Sequence, residues 1–190
     1  MEQPSLYTDR LVLRPYSPED AADLVRLAGA REVAATTLRI PHPYREENAV
    51  AFLAGCQADW ESERCARFAV TLREGGAFLG GTGLRIERWQ HQAELGYWLG
   101  VPQWGKGYAT ECARAVVRFG FENLKLHRIF ASHLAHNLAS GHVLKKIGMQ
   151  YEGRLRGHVF KWDKFYDSDL YAMLSADRTV DASRCYSTQS

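Results

Sequence analysis

A glycine-containing run between an apolar stretch and a helical pattern is the segment best suited to chemistry. Its residues are Trp104, Gly105, Lys106, Gly107, Tyr108, Ala109 and Thr110. Glycine tolerates positive φ and lets a ligand approach without a Cβ in the way. The first N–H groups of a helix lack internal acceptors and carry the positive end of its dipole, and Lys106 adds a cation. The run predicts an anion site suited to phosphate, with an ordinary strand–helix turn as the alternative.

Two standard phosphate-binding motifs are similar to this run, and each lacks a required residue. Gly100 to Gly107 nearly forms a P-loop, but Gly107 stands where a Ser or Thr would hold Mg²⁺. Gly105 to Thr110 nearly forms the dinucleotide fingerprint, but Thr110 stands where the third glycine belongs. A nucleotide-binding protein that needs Mg²⁺ is therefore the least favoured interpretation of the run.

Three segments, in order, resemble the GNAT N-acetyltransferases and most closely their RimJ/RimL branch. The family signature is Gln/Arg-x-x-Gly-x-Gly/Ala, and residues 104–109 match it with Trp104 in the first position, as is typical of that branch. Asn137 to Ser140 matches the family's Asn-x-x-Ser segment, and Thr8 to Pro15 matches the first strand of the branch. Together the matches span nearly the whole chain, to about residue 174.

The resemblance implies one mixed α/β domain of the GNAT fold. Its central twisted sheet would have about six to seven mostly antiparallel strands, helices on both faces, and a splay at the central parallel strand pair. It also implies acetyl-CoA as the co-substrate and no metal. The pantetheine arm would lie between the strands at 93–99 and 127–134, and Asn137 would either hold it or cap the next helix. The implied cofactor-binding residues are Leu99, Trp104, Gly105, Lys106, Gly107, Tyr108, Ala109, Thr110 and Asn137.

Acetyl transfer from a thioester to an amine requires a neutral amine, a polarised carbonyl and a proton for the departing thiolate. A backbone N–H near Leu99 would polarise the carbonyl as an oxyanion-hole donor does. The resemblance implies that Ser140 protonates the thiolate, although a first-turn serine also commonly bonds only to backbone. Many members of the family use a tyrosine for this step, so the candidates also include Tyr108, Tyr151 and Tyr166.

Glu94 is the predicted general base, because it lies on the strand that carries the base in several GNAT enzymes. A shift of one residue in strand register would turn its side chain to the opposite face. His91, His158 and a water relay stay as alternatives, as does a mechanism without any single base.

The first two helices and their connection wall the acceptor site in GNAT enzymes, which implies that substrate choice resides near residues 36–60. His42, Tyr44 and Trp60 are candidates to line it, with simple packing as the alternative. The implied acceptor is a primary amine, either on a small molecule or at a protein N-terminus.

Composition excludes several other classes of protein. The chain has 190 residues, 46% of them apolar, which suits one domain with a sizeable core. A formal charge of +2 argues against a nucleic-acid partner, and no apolar run approaches the roughly 18–20 residues that span a bilayer. The N-terminus lacks the apolar region of a signal peptide. Four scattered cysteines indicate reduced thiols and a cytoplasmic protein.

Metal and hydrolase sites also lack support. His133 and His136 straddle a predicted strand end, and His142 falls on a helix without a matching acid or cysteine. No Gly-x-Ser-x-Gly elbow is present, which argues against a serine hydrolase.

Hydrophobic periodicity predicts the elements that position these residues. Strands are expected at 11–15, 67–72, 77–86, 93–99, 127–134, 151–160 and 166–174. Helices are expected at about 18–28, 46–63, 109–124 and 138–147. The predicted domain is residues 1–174, followed by a polar tail over 175–190.

The sequence thus predicts an acetyl-CoA-dependent N-acetyltransferase that works by direct attack, as a monomer or homodimer. A non-catalytic acyl-CoA-binding or sensor module of the same fold is the alternative. In such a module the glycine run would be kept while Ser140 and Glu94 were dispensable.

Overall fold

A computed structural model describes residues 2–177 of the chain, which form one eight-stranded sheet with five α-helices. Most of the predicted tail, including Cys185, lies outside the described residues. The strands are β1 (Leu6–Tyr7), β2 (Leu11–Arg14), β3 (Cys65–Leu72), β4 (Phe78–Glu87), β5 (Gln92–Leu99), β6 (Arg128–Leu134), β7 (Gln150–Lys161) and β8 (Lys164–Leu174). The helices are α1 (Ala21–Ala28), α2 (Arg31–Thr36), α3 (Glu46–Glu61), α4 (Tyr108–Glu122) and α5 (Leu138–Lys146).

The strands are arranged in the order β1-β2-β3-β4-β5-β6-β8-β7, and β5 with β6 is the parallel pair. The other neighbouring pairs are antiparallel. This confirms the predicted mixed α/β class and the mostly antiparallel sheet. The eighth strand is the two-residue β1, which is too short to show an alternating pattern and was not expected from the sequence.

Two helices begin at residues suited to that position. Asn137 caps α5 by accepting a hydrogen bond from the Ser140 backbone N–H, and Gly107 precedes α4 in the left-handed region. The sequence did not predict α2, because it spans only six residues and has too few turns to show a helical period.

Helices cover both faces of the sheet. Phe68 and Val70 of β3 pack in the core that includes the apolar side of α4. Ala69, between them, packs with Leu24 and Ala49 of α1 and α3. Because successive side chains of a strand point to opposite faces, the two clusters lie on opposite sides of the sheet.

The segment between α2 and α3 is held by the hairpin of β7 and β8. The Lys161 ammonium donates to the carbonyl oxygens of Ala34 at 2.6 Å and Thr37 at 2.7 Å. Burial lowers the pKa of Lys161. These bonds satisfy carbonyl groups at the end of α2, where helices have no internal donors, and so anchor the start of the loop over 37–45.

Within residues 2–177, no helix has the length and apolar character needed to cross a bilayer. Cys56, Cys65 and Cys112 are buried free thiols.

Candidate active site

The parallel strands β5 and β6 separate partway along their length. They pair only at Gln92–Arg128, Ala93–Ile129 and Glu94–Phe130. Both strands continue beyond that point, β5 to Leu99 and β6 to Leu134. From residue 95 onward the facing edge of β5 therefore has no partner strand among the described residues, which is the predicted splay.

A cavity of about 490 Å³ opens at this splay, and we call it the β5–β6 cavity. Its walls come from α1, the loop after α2, the α3 side chains Asn48 and Phe52, strands β3 to β6, and α5. Gly81 of β4 lines it, and a Cβ there would overlap the hydroxyl of Tyr16. The glycine therefore leaves room for Tyr16, whose pKa is raised by burial.

Glu94 lies in the wall of the β5–β6 cavity with 8% of its surface exposed. Its Oε2 accepts hydrogen bonds from Arg39 Nη2 at 2.7 Å and from Arg85 Nη2 at 2.8 Å and Nε at 3.1 Å. Among the described residues, Oε1 has no donor. These charge-assisted hydrogen bonds offset the loss of water around the buried carboxylate. Glu94 thus faces the cavity, which is one of the two orientations that the strand register left open.

Ser140 lies one turn into α5 and lines the same cavity. Its Oγ is 2.7 Å from the hydroxyl oxygen of Tyr97, which also donates to the Ser140 carbonyl oxygen at 3.1 Å. Burial raises the pKa of Tyr97, although the bond to Ser140 opposes the shift, so the phenol is protonated near neutral pH. Tyr97 is not among the predicted site residues, because no local pattern relates it to a serine 43 residues away.

The glycine run adopts the conformation that its residues predict. Gly105 and Gly107 have φ of +76° and +83°, and α4 begins at Tyr108. Trp104 Nε1 donates to the Leu99 carbonyl oxygen at 2.8 Å, which anchors the run to the end of β5. The first N–H groups of α4 are thus presented close to the open edge of β5.

Arg10 braces the glycine run from the side of β2. Its guanidinium donates to the Lys106 carbonyl oxygen at 3.1 Å and pairs with Glu111 at 2.6 Å. Thr8 Oγ1 also donates to Glu111 at 2.6 Å. Burial alone would raise the pKa of Glu111, but these bonds hold it below its ordinary value. Thr8 and Arg10, from the segment that matches the first strand of the branch, therefore help to position the glycine run.

Both the oxygen and the nitrogen of the Asn137 side-chain amide make hydrogen bonds. Oδ1 accepts from the Ser140 N–H at 3.2 Å, and Nδ2 donates to the Thr36 carbonyl oxygen at 3.0 Å. Of the two predicted uses for this amide, capping is thus present, and it also joins α5 to the end of α2.

Other predicted candidates are divided between the cavity and its surroundings. Tyr44 lines the cavity, whereas the His42 ring lies 6.4 Å from Trp162 and the Trp60 ring 6.5 Å from Phe119. The further candidates for acid or base do not line it, and these are His91, His158, Tyr108, Tyr151 and Tyr166. Residues 2–177 include no group of three His, Cys, Asp or Glu side chains arranged to hold a metal ion.

Comparison with known proteins identifies the fold and the family of this site. The acetyltransferase (GNAT) domain profile matches residues 10–150. The uncharacterized N-acetyltransferase YoaA of Bacillus subtilis is 30% identical over 172 residues, which cover 90% of this chain and 97% of YoaA. A GNAT-family acetyltransferase crystal structure from Bacillus anthracis superposes with a TM-score of 0.81 at 25% identity, covering 91% of this chain and 99% of that one.

The RimJ structure from Mycobacterium smegmatis, in complex with CoA-disulfide, superposes with a TM-score of 0.81. It is 22% identical and covers 92% of this chain and 88% of that chain. At that identity the likeness concerns the fold alone.

Proposed function

The chain belongs to the GNAT acetyltransferase family and is an N-acetyltransferase that uses acetyl-CoA, and we propose that it transfers the acetyl group directly to a primary amine in the β5–β6 cavity. The observation that carries the proposal is the splay of β5 from β6 beside the glycine run. It places an unpaired strand edge beside the proposed anion site and the β5–β6 cavity. No acyl-enzyme is needed.

The residues around the splay suit acetyl-CoA. The open edge of β5 offers backbone groups to an extended arm in the way that a neighbouring strand would. The amides after Gly107, together with Lys106 and Arg10, suit phosphate groups. We therefore retain Leu99 and residues 104–110 as the proposed cofactor-binding residues. For Asn137 we propose an indirect contribution, which is to fix the start of α5 and so the position of Ser140.

In the proposed reaction, the nitrogen of a neutral amine attacks the thioester carbonyl carbon. The N–C bond forms, the C–S bond breaks with its electron pair on sulfur, and the nitrogen loses one proton. The sulfur gains one proton, so the products are an N-acetyl amide and CoA thiol. We propose that Ser140 Oγ delivers this proton, and that the Tyr97 hydroxyl at 2.7 Å supplies the replacement.

The proton lost by the amine needs an acceptor, and we propose Oε1 of Glu94. Oε2 already accepts three N–H bonds from Arg39 and Arg85, so Oε1 is the atom left for an incoming amine. Transfer to water at the cavity mouth is the competing route. A Glu94→Gln variant with kcat lowered about 10²-fold or more and an unchanged affinity for acetyl-CoA supports Glu94, whereas a kcat near that of the wild type favours water.

Two measurements on one pair of variants test the proposal. Thiol release from acetyl-CoA is followed with a broad panel of primary amines, and acetyl-CoA affinity is measured by calorimetry. We expect Ser140→Ala to lower kcat by about 10²-fold or more, which is typical for loss of a general acid, with unchanged affinity for acetyl-CoA. Ser62→Ala, which removes an exposed hydroxyl at the end of α3, serves as the control and retains full activity.

A protein that binds acetyl-CoA but releases no thiol above background with any amine would overturn the proposal. That result would favour the alternative, a non-catalytic acyl-CoA-binding module of the same fold.

A further inference from the structure

The β5–β6 cavity is lined by more positively charged than negatively charged side chains. Among the described residues that line it, Glu94 is the one carboxylate, whereas Arg39, Arg67 and Arg85 are guanidinium groups. An acceptor site for a polycationic amine needs several carboxylates, because each ammonium must be paired or solvated. This cavity has the opposite balance of charge.

Pairing removes only part of the positive charge. Arg67 is bonded to Asp59, which lies outside the cavity lining and also pairs with the exposed Arg64, so its charge is only partly offset from behind. Arg39 and Arg85 share one carboxylate, and both bond to the same oxygen of Glu94. Two cations against one anion leave one net positive charge at this wall.

Arg39 and Arg85, which share the Glu94 carboxylate, each have N–H donors that bond to no described acceptor. Arg39 uses only Nη2 and Arg85 uses Nε and Nη2, so Arg39 Nε and Nη1 and Arg85 Nη1 have no acceptor among the described residues. Their side chains are 62% and 54% exposed, so an incoming group can reach them. Guanidinium groups with unbonded N–H donors can bind the two oxygens of a planar carboxylate.

An apolar wall completes the site. Tyr16, Phe52 and Trp98 line the cavity, and the rings of Tyr16 and Phe52 pack edge to face at 5.0 Å. Such a surface suits an aromatic or aliphatic body and offers little to a flexible polar chain.

Building on the proposed function, we propose that the acceptor is a primary amine that also carries a carboxylate and an apolar body. Its carboxylate binds the free donors of Arg39 and Arg85, its body lies against the aromatic wall, and its amine reaches Glu94 Oε1. Spermidine-like polyamines are excluded because they would meet an excess of guanidinium groups at close range.

The test uses acceptors in matched pairs that differ only in the carboxylate. Amino acids and dipeptides with apolar side chains are compared with their C-terminal amides, and spermidine is included. Thiol release with acetyl-CoA gives kcat/KM for each. We expect the carboxylate members to exceed their amides by about 10-fold or more, the effect of one charge-assisted hydrogen bond, and spermidine to be a poor acceptor.

Variants assign the preference to particular side chains. Arg39→Gln and Arg85→Gln, each tested for an unchanged melting profile, should reduce kcat/KM for carboxylate members about 10-fold more than for their amides, because loss of a Glu94 partner affects both members of a pair alike. Arg26→Gln is the matched control, because Arg26 is an exposed arginine paired with Asp23, and neither residue lines the cavity. Amides or spermidine turned over as well as the carboxylates by the wild type would overturn the inference.

Failure of the chemistry can be told apart from failure of this inference. If no amine is turned over, the N-acetylated form of each pair is titrated calorimetrically into the protein, with and without CoA. If the N-acetylated carboxylates bind and the matching amides do not, the inference is supported and only the proposed reaction is contradicted. Equal binding, or none by either member, would overturn the inference.

Discussion

Replacing Gly107 with alanine isolates the conformational requirement of the glycine run. Gly107 has φ of +83°, and an added Cβ would come only within ordinary contact of Arg10 Nη2, at 3.4 Å. The substitution therefore introduces backbone strain without a steric block. A left-handed conformation costs an L-residue about 1–2 kcal/mol relative to glycine.

That strain has two expected consequences. Where the run keeps its conformation, the melting temperature falls by roughly 2–8 °C for a domain of this size. Where the run relaxes, the amides at the start of α4 turn away from the bound phosphate. Loss of one charge-assisted hydrogen bond is worth about 1.5–3 kcal/mol, so the Kd for acetyl-CoA rises at least about 10-fold. Thermal melts and calorimetry measure the two effects separately.

Gly157→Ala is the matched control. Gly157 has φ of +57° in β7, the edge strand on the far side of β8, and an added Cβ would contact only Phe165 at 4.0 Å. It should lower the melting temperature to a similar extent without changing acetyl-CoA affinity. If Gly107→Ala lowers neither the melting temperature nor the affinity for acetyl-CoA, the conformation of the run is not what holds the phosphates.

Three further predictions concern buried groups. Tyr97→Phe removes the hydrogen-bond partner of the Ser140 hydroxyl, so kcat should fall about 10-fold or more with KM nearly unchanged. A change in KM alone would contradict proton transfer from Tyr97 to Ser140. The lowered pKa of Glu111 means that its stabilisation is present above the ordinary value of 4.5 and lost as pH falls through the folded-state pKa. The stability advantage of wild type over Glu111→Gln should therefore shrink on acidification below that value, and a gap that stays constant in denaturant melts would refute the assignment. Burial raises the pKa of Cys56 to about 11 and of Cys112 to about 12. Both thiols should therefore react slowly with a disulfide reagent until the protein unfolds. Fast labelling of the folded protein would contradict this.

Local sequence was sufficient for the features that depend on backbone preference. Gly105 and Gly107 predict positive φ because few other residues adopt it at low cost, and Asn137 predicts a helix start because its side chain can cap one. Within residues 2–177, the alternating and helical patterns located seven of the eight strands and four of the five α-helices. Elements of one or two turns or of two residues, such as α2 and β1, carry too little periodicity to be found.

The side-chain clusters of the site depend on contacts between distant segments. Arg39 reaches Glu94 across 55 positions, from a loop whose path is set by Lys161 of the β7–β8 hairpin. Tyr97 meets Ser140 only because β5 parts from β6 and α5 packs beside the gap. Neither pairing follows from spacing, since each requires the whole sheet to be assembled first.

Titration calorimetry of the wild-type protein with acetyl-CoA, CoA and Mg-ATP tests the central claim most directly. The account predicts saturable, Mg²⁺-independent binding of acetyl-CoA and CoA and no comparable binding of Mg-ATP. A folded protein that does not bind acetyl-CoA, or that binds ATP only with Mg²⁺, would contradict it.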